Sequence, residues 1–383
     1  MSRLRVEFAG SVREVKREDW NACAGDLNPF VSHQFLCALE ESKCVGPGTG
    51  WLPQPLILKD ARGCVRAVAP CYLKLHSKGE YIFDYHWADA YHRLVGEDYY
   101  PKLQVAVPFT PVPGPRLLLH RETSPQEAGE LILAALSERC REGGYSSVHL
   151  TFCQEQEWRM GTAEGYLPRL GEQYHWFNEG YGTFDDFLSR LTSRKRKTIR
   201  RERRIANSHP LKIETLHGDE LSERQLVWLF RMYENTCLRK WGRPYLNLDF
   251  FRRIAETMPR RLVVVLVGDL SGKPVAAAWN LRGQEALFGR NWGCLEHFDM
   301  LHFEVCYYRA LDYAIEQGLS RVEAGAQGTH KIQRGYRPRQ VYSLHHLESE
   351  SFRRAIEQYL QSERLETNYR LEALSTLEPF KQE

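Results

Sequence analysis

Four side chains in the C-terminal half of this 383-residue chain have the chemistry to take a proton from an attacking amine: His302, Glu304, Glu323 and His330. An imidazole titrates near neutrality, and burial tunes a carboxylate upward toward it. All four fall within or just after residues 287–328, LFGRNWGCLEHFDMLHFEVCYYRALDYAIEQGLSRVEAGAQG. Arg290, Asn291 and Trp292 sit where a strand would end. Gln327, His330 and Lys331 belong to the string QGTHK that follows a second strand. Arg290 and Lys331 are candidate phosphate contacts, and Trp292 a candidate substrate contact. Each has an ordinary reading too: Glu323 as a strand-end hydrogen-bonding group, His302 as a satisfied surface histidine.

A second chemistry, holding a polyanion, is concentrated at residues 194–204, RKRKTIRRERR, with eight basic residues and one acid. Eight charges cover most of a helix's circumference, so part of the run must face solvent and is free to meet phosphates. Arg194, Lys195, Arg196, Lys197 and Arg200 are the candidate donor-binding residues. In the N-terminal half, Asp84, Trp87, Asp89, Tyr100 and Lys102 form the matching substrate-binding set, with Tyr91, Tyr99 and Phe109 close by in sequence. Aromatic rings at this density stack on a nucleotide, line a pocket or fill a core. No G-x-S-x-G or H-E-x-x-H string occurs. The ten cysteines are scattered without a C-x-x-C pair, so no metal site is expected.

Ordinary elements must position these groups. Leu301, Val305, Tyr308, Leu311 and Ile315 make one apolar stripe at helical spacing, closed by Gly318, so 287–328 reads as strand, loop, long helix, strand. Polar groups at strand ends in such a unit are how α/β sheets build ligand sites. Helices are predicted over 222–240 and 248–257, a hairpin over 262–268 and 274–282, and a strand over 286–290. The first half runs in the same order: a strand within 5–20, a helix over 31–42, a hairpin of 55–59 and 64–75, a strand over 80–85, a helix over 124–142 and a strand over 146–152. Residues 86–116, rich in aromatics and prolines but without periodicity, read as a functional segment rather than a disordered one. A helix over 182–207 joins the halves, and 348–383 reads as a charged terminal helix.

With 43% apolar residues the chain can bury two cores, and a net charge of +3 makes any nucleic-acid footprint local. Residues 1–20 lack an apolar leader core, and the longest apolar run, 262–267, is too short to span a bilayer. The expected location is cytoplasmic, with no membrane insertion.

The repeated element order is similar to the GNAT acyltransferase fold in tandem. Particular strings carry the likeness further: NPFVSHQFLCALEES (28–42), HSKGEYIFDYHWADAYHR (76–93), YYPKLQVAVPFTPVPGPRLL (99–118), SRKRKTIRRERR (193–204), GRNWGC (289–294), HFEVCYY (302–308) and VEAGAQGTHK (322–331). Together they resemble the FemAB-like group over nearly the whole chain. The resemblance implies an α+β fold with two tandem GNAT-like domains, each a mixed, mainly antiparallel sheet flanked by helices. The domains would be 1–180 and 209–347, with 181–208 a basic connecting helix and 348–383 a C-terminal helical segment.

The reaction it implies is direct attack of an amine on an activated acyl carbonyl. That needs a base, donors for the developing oxyanion and a positive surface, but no covalent nucleophile. The acyl-CoA signature R/Q-x-x-G-x-G/A is missing from the strand-to-helix junctions: REGGYS (141–146) follows a helix, and the second-half junction reads RNWGCLEHFDM. The expected donor is therefore an aminoacyl-tRNA, with tRNA as partner, no bound cofactor, and a small-molecule or peptide amine as acceptor. An acyl-CoA donor and a non-catalytic GNAT-fold binding protein are the alternatives. The group carries Glu where this chain has Thr329, and a more apolar pair in place of Tyr85 and His86. If that Glu binds an amine, the acceptor here differs.

Overall fold

The computed structural model describes residues 4–240, 242–326 and 328–381. Two compact units emerge, one made of residues up to 171 together with 340–370, the other of 172–339 and the chain from 371 on.

In the first unit a small sheet orders Arg5–Phe8, Leu56–Lys59, Val65–Ala69 and Leu118–Leu119, all antiparallel. A larger one runs Trp51–Pro53, Cys71–Lys74, Lys102–Val105, Ser147–Cys153 and then Arg337–Leu347 from residue 340 on. The single strand predicted over 64–75 is two, because Pro70 has no N–H to give a ladder and the chain changes sheets there. Helix Pro125–Glu142 is capped by the Ser124 hydroxyl and starts with proline. It buries Ala128, Ile132, Leu133, Leu136 and Cys140 against Leu103, Val105, Val148 and Leu150. Each such leucine or isoleucine contributes about 1.5–3 kcal/mol.

The second unit is a meander of Leu211–His217, Leu262–Asp269, Pro274–Arg282 and Ala286–Cys294. It continues through parallel Arg321–Glu323 to residues 175–177 of strand Leu167–Phe177. The helical stretch 301–316 packs the predicted stripe Leu301, Val305, Tyr308, Leu311 and Ile315 inward, every member buried. Trp279 meets the rings of Phe250 and Phe251 from helix Leu248–Thr257 at 6.4 and 5.5 Å. Helix Glu223–Lys240 comes so close to the sheet that a Cβ on Gly293 would lie 2.0 Å from the Met232 carbonyl oxygen, which leaves room only for glycine.

Several expectations change. Residues 80–84 are not a strand: the chain turns at Tyr81, whose φ is +62°, and Tyr85–Val95 is a helix inside the supposedly aperiodic segment. The helix predicted over 182–207 is two, Phe184–Arg190 and Ser193–Ser208, broken at extended Leu191. Ser193–Ser208 is an integral part of the second unit rather than a connector. Residues 340–347 belong to the first unit, since they pair antiparallel with Ser147–Cys153 from Tyr342↔Cys153 to Leu347↔Ser147. Helix Glu350–Ser375 follows them there as far as residue 370, burying Phe352, Ile356 and Leu360 against Trp87, Tyr91 and Tyr99. Among the described residues no helix is long and apolar enough to cross a membrane, and no cluster of His, Cys, Asp and Glu could hold a metal ion.

Candidate active site in the second unit

The site arises where two parallel strands part. Ala286–Cys294 pairs with Arg321–Glu323 only at Ala286↔Arg321, Leu287↔Val322 and Phe288↔Glu323. Beyond Phe288 the longer strand follows its antiparallel neighbour instead. Its register slips there, with Asn280 opposite Gly289 and Trp279 opposite Asn291, so Arg290 is the extra residue of a bulge. The gap is a cleft of about 120 Å³, lined by Asn280, Arg290, Asn291, Trp292, His302, Cys306, Tyr307 and Glu323 among others.

Residues 301–316 supply one wall. They start after Met300, held at φ +61°, and include a π-helical turn, Glu304–Tyr308. In a regular helix His302 and Tyr307 would point about 140° apart. With the wider turn both line the cleft, their rings 5.5 Å apart, and His302 also meets Trp292 edge-on at 5.5 Å. Such π-turns recur at functional sites.

Burial drives the His302 pKa down to about 4, helped by His330 when protonated and by the positive charges of Lys240, Arg334 and Lys331, so the ring is neutral at pH 7. A histidine depressed from 6.5 in the folded state contributes stability that is full above pH 6.5 and is lost as the pH falls toward 4. His302→Gln is expected to reduce the proton uptake on unfolding by up to about one in that window. Denaturation series at several pH values read this directly. Equal slopes for both proteins would show that His302 titrates alike folded and unfolded.

Glu323 is buried at the edge of the cleft. Its Oε1 accepts from Arg321 Nε at 2.9 Å, while Oε2 makes no hydrogen bond and stands 3.8 Å from His175 Nε2, which has none either. His330 is exposed, and its Nε2 lies 2.9 Å from Tyr307 Oη. Lys331 is buried, with Nζ donating to the carbonyls of Ala324 and Gly325 at 2.5 and 3.1 Å. It clamps the loop after strand Arg321–Glu323, and burial lowers its pKa to about 8. Gln327 lies outside the described residues.

Glu304 is not at the cleft. Fully buried, it accepts from Arg203 Nε and Nη2, both at 3.1 Å, and from Arg309 Nε at 3.1 Å. Arg203 also reaches Asp312, and Glu202 pairs with Arg334 at 2.9 Å. The inner face of Ser193–Ser208 is thus Ile199, Glu202, Arg203 and Ala206. Arg194, Lys197, Arg200, Arg201 and Arg204 are exposed, Lys195 and Arg196 half-buried, and Arg200 meets Asp185 at 2.8 Å.

The first unit holds the same kind of parallel pair, Leu103↔Val148 to Val105↔Leu150, but its opening is filled by the chain itself. Gly114 N–H donates to the Phe152 carbonyl at 3.0 Å. The buried Arg116 guanidinium donates to the carbonyls of Thr151 and Val112, each at 2.8 Å, and to Gly114 and Pro115, each at 3.1 Å. Asp84, Tyr100 and Lys102 form a core network: Lys102 Nζ donates to Glu80 at 2.7 Å and to Asp84, and Tyr100 Oη donates to Asp84 at 3.1 Å. Trp87 is buried against His345, and Asp89 lies on the surface. Of the predicted substrate set, only Trp292 lines the cleft.

Sequence reasoning missed Tyr307, Cys306 and Asn280. Tyr307 is invisible to helical periodicity because the π-turn breaks it. The bulge that exposes Asn280 and Arg290 leaves its only trace in the Gly289 and Gly293 that flank it.

Two units of mixed, mainly antiparallel sheet, each with a parallel pair at its centre, define a tandem GNAT-fold acyltransferase architecture. The chain belongs to the FemAB-like family, described as peptidoglycan biosynthesis/recognition, whose model matches residues 11–382. Among solved structures it is similar to FemX at a TM-score of 0.57 and 11% identity, over 90% of this chain and 98% of that one. It is also similar to L-PGS from Bacillus licheniformis at 0.51 and 11%, over 88% and 98%. No curated protein matches its sequence.

Proposed function

We propose that the protein transfers an aminoacyl group from an aminoacyl-tRNA to an amine, forming an amide in the cleft of the second unit. The observation that carries this is the parted parallel strands, which leave backbone, His302 and Glu323 around a space the first unit fills with its own chain. Backbone N–H groups at the mouth of a parted strand pair are suited to an acyl oxygen as it becomes an oxyanion. His302, kept neutral, and Glu323, with an unbonded oxygen, are the hydrogen-bond acceptors available to orient the attacking amine, and Arg290 in the cleft wall is a donor-side cation.

The exposed cations of Ser193–Ser208 would hold the tRNA backbone. That helix packs through Arg203 on the same helical segment that brings His302 into the cleft. Among the described residues Arg194, Lys195, Arg196 and Lys197 enter no ion pair, so their charge is available. The acceptor is a small-molecule or peptide amine, in keeping with the family's description.

Arg194, Lys195, Arg196 and Lys197 changed together to Ala should weaken binding of total tRNA by about 10-fold or more at 100 mM salt. The slope of log K against log salt should flatten by roughly two to four. Anisotropy titrations of labelled tRNA over a salt series measure both. Binding that is unchanged would remove tRNA from this helix, and saturable binding of acetyl-CoA by a protein that ignores tRNA would replace the donor.

A further inference from the structure

The Tyr307–His330 pair hydrogen-bonds a group in the cleft wall to a titratable side chain at the surface. Tyr307 is buried and lines the cleft; its Oη meets Nε2 of His330, which is exposed, at 2.9 Å. Two features hold the pair. The π-turn brings Tyr307 round to the cleft. Gly328, at φ +97°, leaves the space in which the imidazole lies, for a Cβ there would be 2.2 Å from His330 Cε1. Any other residue at 328 would both strain the backbone and displace the ring.

The surroundings suit proton passage. Burial, with Arg334 and Lys331 beside it, holds the His330 pKa below the ordinary value, so a proton that reaches the ring passes on readily to solvent. Burial raises the Tyr307 phenol, with Cys306 adding to the shift and Arg334 opposing it, so Tyr307 keeps its proton at rest and cannot act as a standing base. His302 and Phe303 also face both rings, His302 at 5.5 Å from Tyr307 and 6.5 Å from His330, Phe303 at 6.1 and 5.7 Å.

We propose that Tyr307 and His330 are the proton exit of the amide-forming reaction: an ammonium in the cleft gives its proton to Tyr307 Oη as the Tyr307 hydroxyl proton passes to His330 Nε2. The N–H bond of the ammonium breaks and its electron pair becomes the amine lone pair that attacks the acyl carbon; as the C–N bond forms, the acyl C–O bond to the tRNA ribose breaks, and the second amine proton goes to the departing ribose oxygen. Tyr307 ends as it began, and the His330 imidazolium releases its proton to solvent. The substrate is thereby specified as an amine protonated at neutral pH. This rests on the reading that acyl transfer occurs in this cleft.

The test compares wild type, Tyr307→Phe, His330→Gln and the double variant in single-turnover transfer from a mixed aminoacyl-tRNA pool. Acceptors are glycinamide, largely protonated near neutrality, and hydroxylamine, which is not. Each single variant is expected to lose about 100-fold with glycinamide, and the double variant no more than either, since both lie on one path. With hydroxylamine the loss should stay within about threefold, because that step is bypassed. Added imidazole should restore His330→Ala but not Tyr307→Phe. Equal losses with both nucleophiles, or none with glycinamide, would overturn the proton exit. Wild-type protein that transfers to neither nucleophile would overturn the acyl-transfer reading itself, a result distinct from any variant effect.

Discussion

Lys102→Met is expected to cost about 3–5 kcal/mol of stability, a large share of the total of about 5–15 kcal/mol for a domain. The Lys102 side chain is 1% exposed, and its Nζ bridges the buried carboxyl groups of Glu80 and Asp84. The carboxylate attraction outweighs the burial penalty and raises the lysine's pKa, while the same contacts lower that of Asp84 despite burial. Without the ammonium, two carboxyl groups stay in the interior with the Tyr100 hydroxyl on Asp84 and, as nearby cation, Lys74, 3.8 Å from Glu80 and itself pulled down to about 7 by burial. Chemical denaturation gives the magnitude. The triple variant Lys102→Met, Glu80→Gln, Asp84→Asn should recover much of the loss, because the penalty lies in the orphaned charges. A harmless single substitution would mean that water reaches the cluster.

Glu304→Gln is expected to lower stability by about 3 kcal/mol while leaving turnover per folded molecule within about threefold of wild type. Glu304 accepts three charge-assisted hydrogen bonds from Arg203 and Arg309 at zero exposure, and those bonds fasten Ser193–Ser208 to residues 301–316. Replacing one anionic oxygen by an amide turns a donor toward two guanidinium groups. Stability from denaturation and turnover normalised to folded protein separate the two effects. A large fall in turnover with unchanged stability would return Glu304 to the role of base that its place in the sequence suggested.

That reversal shows where sequence stops being legible. The stripe Leu301 to Ile315 needed only periodicity, and the parallel strands around it only order, so the fold was readable, and with it the strand ends that border the candidate cleft. Which face a polar residue takes was not. Glu304 and His302 are two positions apart on one helix, yet one is sealed by arginines from another element and the other lines the cleft. Lys331 and Asp84 look like surface ligands in the string and are interior groups, because their partners, Ala324 and Gly325 for one and Lys102 for the other, arrive through the loop and through the sheet. The basic run was half readable: its exposed cations were expected, while Arg203 and Glu202 face inward. Domain limits failed for a similar reason, since nothing local in 340–347 says that it pairs with a strand almost two hundred residues earlier.

That pairing bears on synthesis. The strand Ser147–Cys153 gets its neighbour, with His345 against His149, only after 196 further residues have left the ribosome. At bacterial or eukaryotic elongation speeds this is a wait of roughly 10–40 s. For that time the first unit carries an open edge whose side chains are all destined for the interior. Nascent chains of this protein are therefore exposed to mispairing through their N-terminal half, whereas the second unit's sheet strands from 211 to 323 are made without interruption and can pair with one another before 340–347 arrives.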